Sequence, residues 1–267
     1  MTKKQQYTKR KRGGTRKGWD SVAAWYDGWV GKDGSEHHRR IAIPAVMDLL
    51  ELQAGEQILD VGCGQGVLAP QVKAAGADYT GVDVSPRLLG LARKHHGESG
   101  QFIKADACKL PRGKDLREGS FDALIYLLSI QDIDPLDAAM RSAAWALKPG
   151  GRVVMLMTHP CFRVPRQSGW GFDENRKLQY RRVDRYLTPL PVPMKTYPGK
   201  SGVTISFHRA LGDYVNGLAA VGLYVDHMDE IPSFRAEEKS KGGAAESEIP
   251  LFLGLRARKV THQPAQS

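Results

Sequence analysis

The sequence of 267 residues is poor in cysteine and has no long hydrophobic run. Its three cysteines, Cys63, Cys108 and Cys161, are odd in number and lack the spacing of metal ligands. They predict free thiols in a reducing compartment and no metal site. No apolar stretch approaches the length of about 18 residues that a membrane span requires. The basic N-terminus has no apolar segment typical of a secretory signal, so we expect a cytoplasmic protein without a membrane span.

Acidic residues are also scarce in two segments, and these carry the positive charge of the chain. Residues 1–18 hold eight Lys or Arg and no acid, and residues 160–207 have a net charge of +6. The whole chain has a charge of +10, so −4 remains for the rest. Residues 1–18 show no hydrophobic periodicity, which predicts a disordered tail. This tail is interpreted either as a solubilising extension or as an arm that binds the phosphates of a nucleic acid.

Between the two basic segments, short apolar runs alternate with amphipathic stretches. This alternation predicts a parallel sheet with helices on both faces, and a ligand site outside the carboxyl ends of its strands. Residues 160–207, rich in Pro, Arg and Tyr, break the alternation and are interpreted as an insertion. Strands are predicted at 57–61, 79–84, 101–105, 121–127, 152–157, 203–207, 223–228 and 249–257, helices at 37–52, 67–75, 86–95, 136–147 and 211–221, and an exposed loop at 236–248.

A glycine-rich turn follows the first predicted strand. Residues 58–66 read Ile-Leu-Asp-Val-Gly-Cys-Gly-Gln-Gly. Gly62, Gly64 and Gly66 can adopt a positive φ and allow the backbone to approach a ligand closely. The helix that follows presents unpaired N–H groups at its N-terminus. The spacing is G-x-G-x-G, which differs from the G-x-G-x-x-G of dinucleotide-binding folds.

Three aspartates end or closely follow successive predicted strands. Asp60 ends the first strand beside the glycine turn, where a carboxylate can bind an ammonium group or orient water towards it. Asp83 ends the second, where a carboxylate typically accepts hydrogen bonds from both ribose hydroxyls. Asp106 follows the third and could accept a hydrogen bond from an adenine amino group. Each aspartate alone is better explained by turn formation or helix capping, but the set of three beside the glycines predicts a binding site.

Taken together, these motifs resemble the class I S-adenosylmethionine-dependent methyltransferases. The resemblance covers roughly residues 20–258. The Trp-Tyr-Asp at 25–27 and the Cys-Gly-Gln-Gly at 63–66 are similar to the branch of ubiquinone and menaquinone C-methyltransferases and of many small-molecule O- and N-methyltransferases. The matching motifs are residues 58–66, 81–85, 105–107, 121–128 and the Leu-Lys-Pro-Gly-Gly-Arg of 147–152.

The resemblance implies an α/β, Rossmann-like, doubly wound sheet of seven mostly parallel strands with an antiparallel last strand. It implies a methyltransferase domain at 19–258, with the 160–207 insertion after strand five on the substrate side, and disordered tails at 1–18 and 259–267. The implied cofactor is S-adenosylmethionine. The residues expected to bind it are Tyr26, which is also a candidate lid, and Asp60, Gly62, Gly64, Gly66, Asp83, Val84, Asp106, Ala107 and Leu127.

Two histidines are candidates for a catalytic base, which is needed only if the acceptor loses a proton. His159 follows strand five, and His208 precedes the last long predicted helix. In this topology both could face the pocket. The alternative for each is a histidine that is hydrogen-bonded at a loop junction.

Three functions are compatible with these features. The first is methyl transfer to a small-molecule oxygen, nitrogen or carbon acceptor, with the insertion as a lid. The second is an RNA methyltransferase that grips phosphates with residues 1–18 and 160–207, whose aromatics could stack on bases. The third is a catalytically silent cofactor-binding module within a ribonucleoprotein, which the intact glycines and aspartates disfavour. A nicotinamide-dependent oxidoreductase is disfavoured by Asp60 and by the glycine spacing.

Overall fold

The computed structural model describes residues 18–112, 114–195, 202–234 and 243–260. Its centre is a seven-stranded sheet with the order β10-β11-β5-β4-β1-β2-β3. Within this sheet β11 pairs antiparallel with both β5 and β10, and the other pairs are parallel. The sheet strands are β1 Gln57–Val61, β2 Asp78–Asp83, β3 Gln101–Lys104, β4 Phe121–Leu127, β5 Leu147–Thr158, β10 Leu223–Ile231 and β11 Phe252–Lys259.

Helices cover both faces of this sheet, as the alternation predicts. Neighbouring residues of β1 belong to two different hydrophobic cores. Ile58 packs with the side chains of α2 and α3, and Leu59 packs with those of α5 and α6. Ser85 caps α4, since its side chain accepts a hydrogen bond from Leu88 N at 3.2 Å. The helices are α1 Ala23–Val30, α2 Ile43–Leu50, preceded by a π-helical turn at His38–Ala42, α3 Ala69–Ala74, α4 Pro86–His96, α5 Leu136–Ala146, α6 Leu211–Ala219 and α7 Gly243–Glu248.

The doubly wound, mostly parallel sheet with an antiparallel last strand is therefore confirmed. The chain runs from β1 through β2 to β3 on one side, and then crosses to β4 and β5 on the other. The order reverses between β1 and β4, and a ligand site is expected at such a switch point, outside the carboxyl ends of the strands.

The insertion after β5 contains two antiparallel hairpins. Strands β6 Ser168–Asp173 and β7 Leu178–Val183 form the first, and β8 Leu190–Lys195 and β9 Val203–His208 form the second. Of these four strands only β9 is predicted by the sequence.

The structure moves several predicted boundaries, among them that of β5, which begins at Leu147 and not at residue 152, and those of the two tails and the predicted loop. Gly18, placed in the N-terminal tail, donates a backbone hydrogen bond to Val203 O at 3.1 Å. Lys259, placed in the C-terminal tail, belongs to β11, and its ammonium group donates to Ala144 O at 2.6 Å. Helix α7 occupies the end of the predicted loop at 236–248. Residues 1–17, 113, 196–201, 235–242 and 261–267 lie outside the described residues.

Among the described residues, no helix combines the length and the apolar character needed to cross a membrane. Nor do the His, Cys, Asp and Glu side chains of the described segments form a cluster that could hold a metal ion.

Candidate functional site

A cavity of about 230 Å³ opens at the carboxyl ends of β1, β2 and β4. Its wall includes the glycine turn, the end of β2 and the segment after β4. Eight of the ten residues predicted to bind the cofactor lie on this wall: Tyr26, Gly62, Gly64, Asp83, Val84, Asp106, Ala107 and Leu127. The structure therefore brings most of the predicted set to one place.

The glycine turn needs its glycines for conformation and for space. Gly62 and Gly64 have φ values of +73° and +56°, in the left-handed region that other residues rarely adopt. A Cβ atom on Gly62 would lie 2.6 Å from Ser129 Cβ. Ser129 in turn donates from Oγ to Val61 O at 2.6 Å, which fixes the segment after β4 against β1. The turn and the segment after β4 are thus in close contact where they line the cavity.

Asp83 is a buried carboxylate at the end of β2. Its Oδ2 accepts a hydrogen bond from Gly64 N at 3.0 Å, and its Oδ1 accepts one from Ser85 N at 2.8 Å. Burial raises the pKa of the Asp83 carboxyl despite these backbone hydrogen bonds. Each carboxylate oxygen has further acceptor capacity, so Asp83 can accept hydrogen bonds from two neighbouring hydroxyl groups of a ligand.

Asp60 lies behind the wall instead of on it. Its side chain is 2% exposed, and Oδ2 accepts a hydrogen bond from Tyr79 Oη at 2.7 Å. Burial raises the pKa of its carboxyl to about 7, against the effect of the Tyr79 hydrogen bond. The other oxygen, Oδ1, has no hydrogen-bond partner within the described part of the chain. Asp60 is therefore not placed to contact a ligand in the cavity directly.

Gly66 also lies off the cavity wall, and its smallness has a packing reason. It has a φ of +79°, and a Cβ atom there would lie 2.6 Å from Cε1 of Phe102 on β3. The structure places this third glycine of the motif in the contact between the turn and the core.

Asp106 lines the cavity beyond β3, next to Ala107. Its Oδ1 accepts a hydrogen bond from Cys108 N at 2.9 Å, and its Oδ2 accepts one from Lys109 Nζ at 2.8 Å. Partial burial favours the protonated acid, but the hydrogen bonds from Lys109 and Cys108 outweigh it, and the pKa of Asp106 is lowered. Asp106 is thus a charged acceptor at the rim.

Two aromatic side chains from the N-terminal segment also line the cavity. Trp19, which sequence reasoning missed, packs edge-to-face on Tyr26 with 5.2 Å between the ring centroids. Burial raises the pKa of the Tyr26 phenol, and the charges of Asp132, Asp83 and Asp60 raise it further. The hydroxyl of Tyr26 is therefore neutral, in the electrostatic field of these three carboxyl groups. The only signal for Trp19 is its aromatic spacing to Tyr26.

Asp132 is another wall residue that sequence reasoning missed. It ends a short 3₁₀ turn, Ile130–Asp132, directly after β4. Burial raises the pKa of its carboxyl to about 7, against a hydrogen bond with the side chain of Ser206 on β9. Its only sequence signal is an acid shortly after the fourth strand.

The structure brings neither predicted histidine to this wall. His159 is 1% exposed, its Nε2 lies 2.9 Å from Glu230 Oε1, and its Nδ1 accepts a hydrogen bond from Cys161 N. Burial lowers its pKa, although the Glu230 contact opposes the shift. His208 contacts Tyr186 O through Nε2 at 2.6 Å and lines a separate cavity of about 20 Å³. Both histidines are thus hydrogen-bonded at loop junctions, as expected for the alternative to a catalytic base.

Comparisons with known proteins agree with this geometry. Residues 59–155 match the family described as "Methyltransferase domain". A ubiquinone biosynthesis O-methyltransferase of Aromatoleum aromaticum is 34% identical over 169 residues, which are 63% of this chain and 71% of that protein. One of the same name from Xanthomonas axonopodis pv. citri is 32% identical over 139 residues, or 51% of this chain, and the match spans 58% of its length.

A solved structure supports the same assignment. The S-adenosylmethionine-dependent methyltransferase of Mesorhizobium loti superimposes with a TM-score of 0.69 at 29% identity, over 85% of this chain and 100% of that chain. None of these similarities favours the RNA-binding alternative. The matched residues include the glycine turn, the end of β2 and the strands that surround the cavity. The chain therefore belongs to the class I S-adenosylmethionine-dependent methyltransferase family.

Proposed function

We propose that the protein transfers the methyl group of S-adenosylmethionine to a small-molecule acceptor, with a hydroxyl oxygen as the favoured acceptor atom. The observation that carries the proposal is the buried Asp83 carboxylate, hydrogen-bonded to the glycine turn on the wall of the cavity. The names of the two relatives, both O-methyltransferases, favour oxygen over nitrogen or carbon.

The residues on the wall fit the cofactor by their chemistry. Asp83 would accept the two ribose hydroxyls, Asp106 would accept the adenine amino group, and the glycine turn would allow close approach of the amino-acid portion. Asp60 would act through the turn, because its carboxylate lies behind it. When bound, S-adenosylmethionine supplies a methyl group on a sulfonium, and a neutral thioether leaves.

The protein's own contribution to such a reaction is orientation and exclusion of water. Holding the acceptor atom in line with the reacting methyl group can lower the barrier by about 7–11 kcal/mol. Tyr26, Trp19 and Leu127 all line the cavity. These apolar surfaces favour a compact acceptor that the cavity can enclose.

The contacts of the insertion favour a small molecule over RNA. Trp170, a candidate for base stacking, already contacts the guanidinium groups of Arg163 and Arg181, which lie 5.2 and 5.3 Å from the centroid of its ring. Arg163 also donates to Pro250 O, and Arg181 to Phe162 O. Part of the basic charge at 160–207 thus has internal partners. The N-terminal arm that the RNA alternative also needs lies, up to residue 17, outside the described residues. A cytoplasmic location is proposed because the three cysteines are unpaired thiols.

The test is calorimetric titration with S-adenosylhomocysteine. Asp83→Ala removes the acceptor of two hydrogen bonds, each worth about 1.5–3 kcal/mol when the acceptor is charged, so affinity should fall by more than tenfold. Asp78→Ala, at the exposed start of the same strand, is the matched control and should bind normally. Unchanged affinity in Asp83→Ala would refute the assignment of the site.

The acceptor class is tested by offering labelled S-adenosylmethionine with either total RNA or a small-molecule extract. We expect label in the small-molecule fraction. Label in RNA alone would establish the RNA alternative instead.

A further inference from the structure

The cavity wall holds four carboxylates, and their partners differ. Asp83 accepts two backbone hydrogen bonds, Asp106 pairs with Lys109 at 2.8 Å, and Asp134 pairs with Arg209 at 2.9 Å. Asp132 instead has a neutral hydroxyl, that of Ser206, as its hydrogen-bond partner. A carboxylate that is held by a neutral donor remains able to take up a proton, whereas one that is tied to a cation is held in its charged form.

We propose that Asp132, oriented by Ser206, is the catalytic residue that takes the proton from the acceptor hydroxyl as its oxygen is methylated. This inference rests on the proposed function, and it gives the base role to a residue other than the two histidines. A base disfavours an amine acceptor, because an amine with an available lone pair needs none, and the names of the two relatives favour a hydroxyl, such as that of a phenol, over carbon.

The backbone around Asp132 holds it in place. Leu128, the residue after β4, has a φ of +52° and donates from N to Leu156 O at 2.8 Å. Asp132 N then donates to Ser129 O at 2.9 Å. A non-glycine residue in the left-handed region costs roughly 1–3 kcal/mol and is typical of functional sites. The strained bend turns the chain so that Asp132 follows Leu127, Leu128 and Ser129 along the wall.

The partner of Asp132 comes from the insertion. Ser206 lies on β9, opposite Val192 of β8, and its side chain is 9% exposed. Ser206 also lines the small second cavity. The Asp132–Ser206 pair therefore stands between the two cavities, where the central sheet meets the second hairpin. An acceptor that touches Asp132 would therefore lie close to the point where β9 contacts the segment after β4.

The proton balance of the step is simple. As the acceptor oxygen bonds to the methyl carbon, the electron pair of the carbon–sulfur bond stays with sulfur. The acceptor O–H bond breaks, and its proton passes to a carboxylate oxygen of Asp132, which later releases it to solvent. No oxidant, reductant or metal ion is required.

The charges around Asp132 are consistent with a base that works near neutral pH. Burial raises its pKa to about 7, and a general base is most effective when its pKa is close to the working pH. Burial raises the pKa of the phenols of Tyr26 on α1 and Tyr214 on α6, and the charge of Asp132 raises the pKa of each further. Arg209 approaches the same segment but pairs with Asp134.

The experiment uses the full chain, S-adenosylmethionine and two phenol probes, catechol and the more acidic 4-nitrocatechol. Asp132→Asn should lower kcat for catechol by about 10²–10⁴-fold. The loss for 4-nitrocatechol should be much smaller, because that phenol ionises without help. Calorimetric affinities for S-adenosylhomocysteine, and for catechol in its presence, should stay unchanged. Asp137→Asn, an exposed acid at the start of α5, is the control of equal charge change.

A second variant tests the role of Ser206. With the wild-type protein, kcat/KM for catechol should rise with pH through about 7, and Asp132→Asn should abolish this rise. Because the Ser206 hydrogen bond lowers the pKa of Asp132, Ser206→Ala should move the rise to higher pH. A merely structural serine would lower the rate without moving the profile.

The outcomes separate this inference from the proposed function. Failure of the wild-type protein to bind S-adenosylhomocysteine would refute the proposed function itself. Normal binding without methylation of either phenol would overturn the hydroxyl acceptor and the base together. Methylation with equal losses for the two phenols in Asp132→Asn would overturn the base alone.

Discussion

Single glycines of the turn at 62–66 serve different purposes, and this difference can be measured. Gly66→Ala places a Cβ 2.6 Å from Phe102 at a φ of +79°. Gly55 has a similar φ of +82°, but a Cβ added there would meet no atom within 4 Å, so Gly55→Ala reports the backbone cost alone, about 1–2 kcal/mol. We expect Gly66→Ala to lose about 1–3 kcal/mol more through overpacking, as measured by urea unfolding. Affinity for S-adenosylhomocysteine should be retained in both. Selective loss of affinity in Gly66→Ala would contradict its placement in the core.

Asp60 makes stability depend on pH. Its carboxyl has a pKa of about 7 in the folded protein, against 3.8 as the ordinary value. Between these pH values the folded state binds more protons than the unfolded state, so the free energy of unfolding falls as pH rises. Asp60→Asn removes this contribution. Its stability relative to wild type should therefore increase from pH 4 to pH 7 by up to about 4 kcal/mol and stay level above.

Tyr79→Phe is the companion variant for Asp60. It removes the hydrogen bond that lowers the Asp60 pKa, so the fall in stability should extend to higher pH. Urea unfolding at a series of pH values measures both effects. A difference between wild type and Asp60→Asn that is constant with pH would contradict the burial argument.

The sequence predicted those site residues whose position follows from the strands. Asp83 and Gly62 reach the wall because parallel strands end at one edge of the sheet, which the alternating pattern already implies. Asp132 depends on Ser206, a partner 74 residues away, and no local pattern specifies that contact. His159 and His208 lie beyond strand ends, where loop direction decides whether a side chain faces the cavity or a neighbour such as Glu230.

Among the larger elements, the first hairpin of the insertion is separable from the site. Gln167 O accepts a hydrogen bond from Asp184 N at 2.8 Å, so the chain ends that flank β6 and β7 already lie together. Replacing residues 168–183 with two glycines should leave affinity for S-adenosylhomocysteine unchanged. The melting temperature should fall, because the stacking of Trp170 with Arg163 and Arg181 is lost.

The control for this deletion removes contacts without shortening the chain. Trp170→Ala should lower the melting temperature by less than the deletion and likewise retain cofactor affinity. Loss of affinity in the deletion variant alone would mean that the first hairpin supports the cavity.

The elements of the sheet were easier to predict than those of the insertion for a physical reason. Strands β1, β4 and β5 contain apolar runs, and amphipathic stretches follow or precede them, so each can be recognised alone. Strands β6 and β7 are half-buried or exposed along most of their length. They are defined by pairing with each other, and the Pro-rich strand β8 is defined by pairing with β9.

For the molecule as a whole, the first residues divide into a charged part and a structural part. Residues 1–17 hold eight of the basic residues and no acid, whereas Gly18 bonds to Val203 and Trp19 lines the cavity. Deleting residues 1–17 should leave the melting temperature and cofactor affinity unchanged. Deleting residues 1–19 should weaken binding, since loss of the Trp19–Tyr26 pair alone costs about 0.5–1.5 kcal/mol.

Trp19→Ala in the full chain separates the loss of the Trp19 side chain from the loss of the charged residues 1–17. It should reproduce the loss of affinity, as measured by calorimetry. A drop in affinity after deletion of residues 1–17 would show instead that the charged segment supports the site.

The hydrogen bond between Gly18 and Val203 has a consequence for the order in which the protein is made. A nascent chain emerges N-terminal end first, and its domains begin to fold during synthesis. This hydrogen bond can form only after the ribosome has added Val203, 185 residues later. Strands β1 to β5 can assemble before then, and Asp20 can already contact Ser85 and Arg87, but the contacts of Gly18 and Asp132 with β9 form only when β9 arrives. A nascent chain released before β9 would therefore carry the glycine turn and Asp83 but would lack the contacts that β9 makes with Gly18 and Asp132.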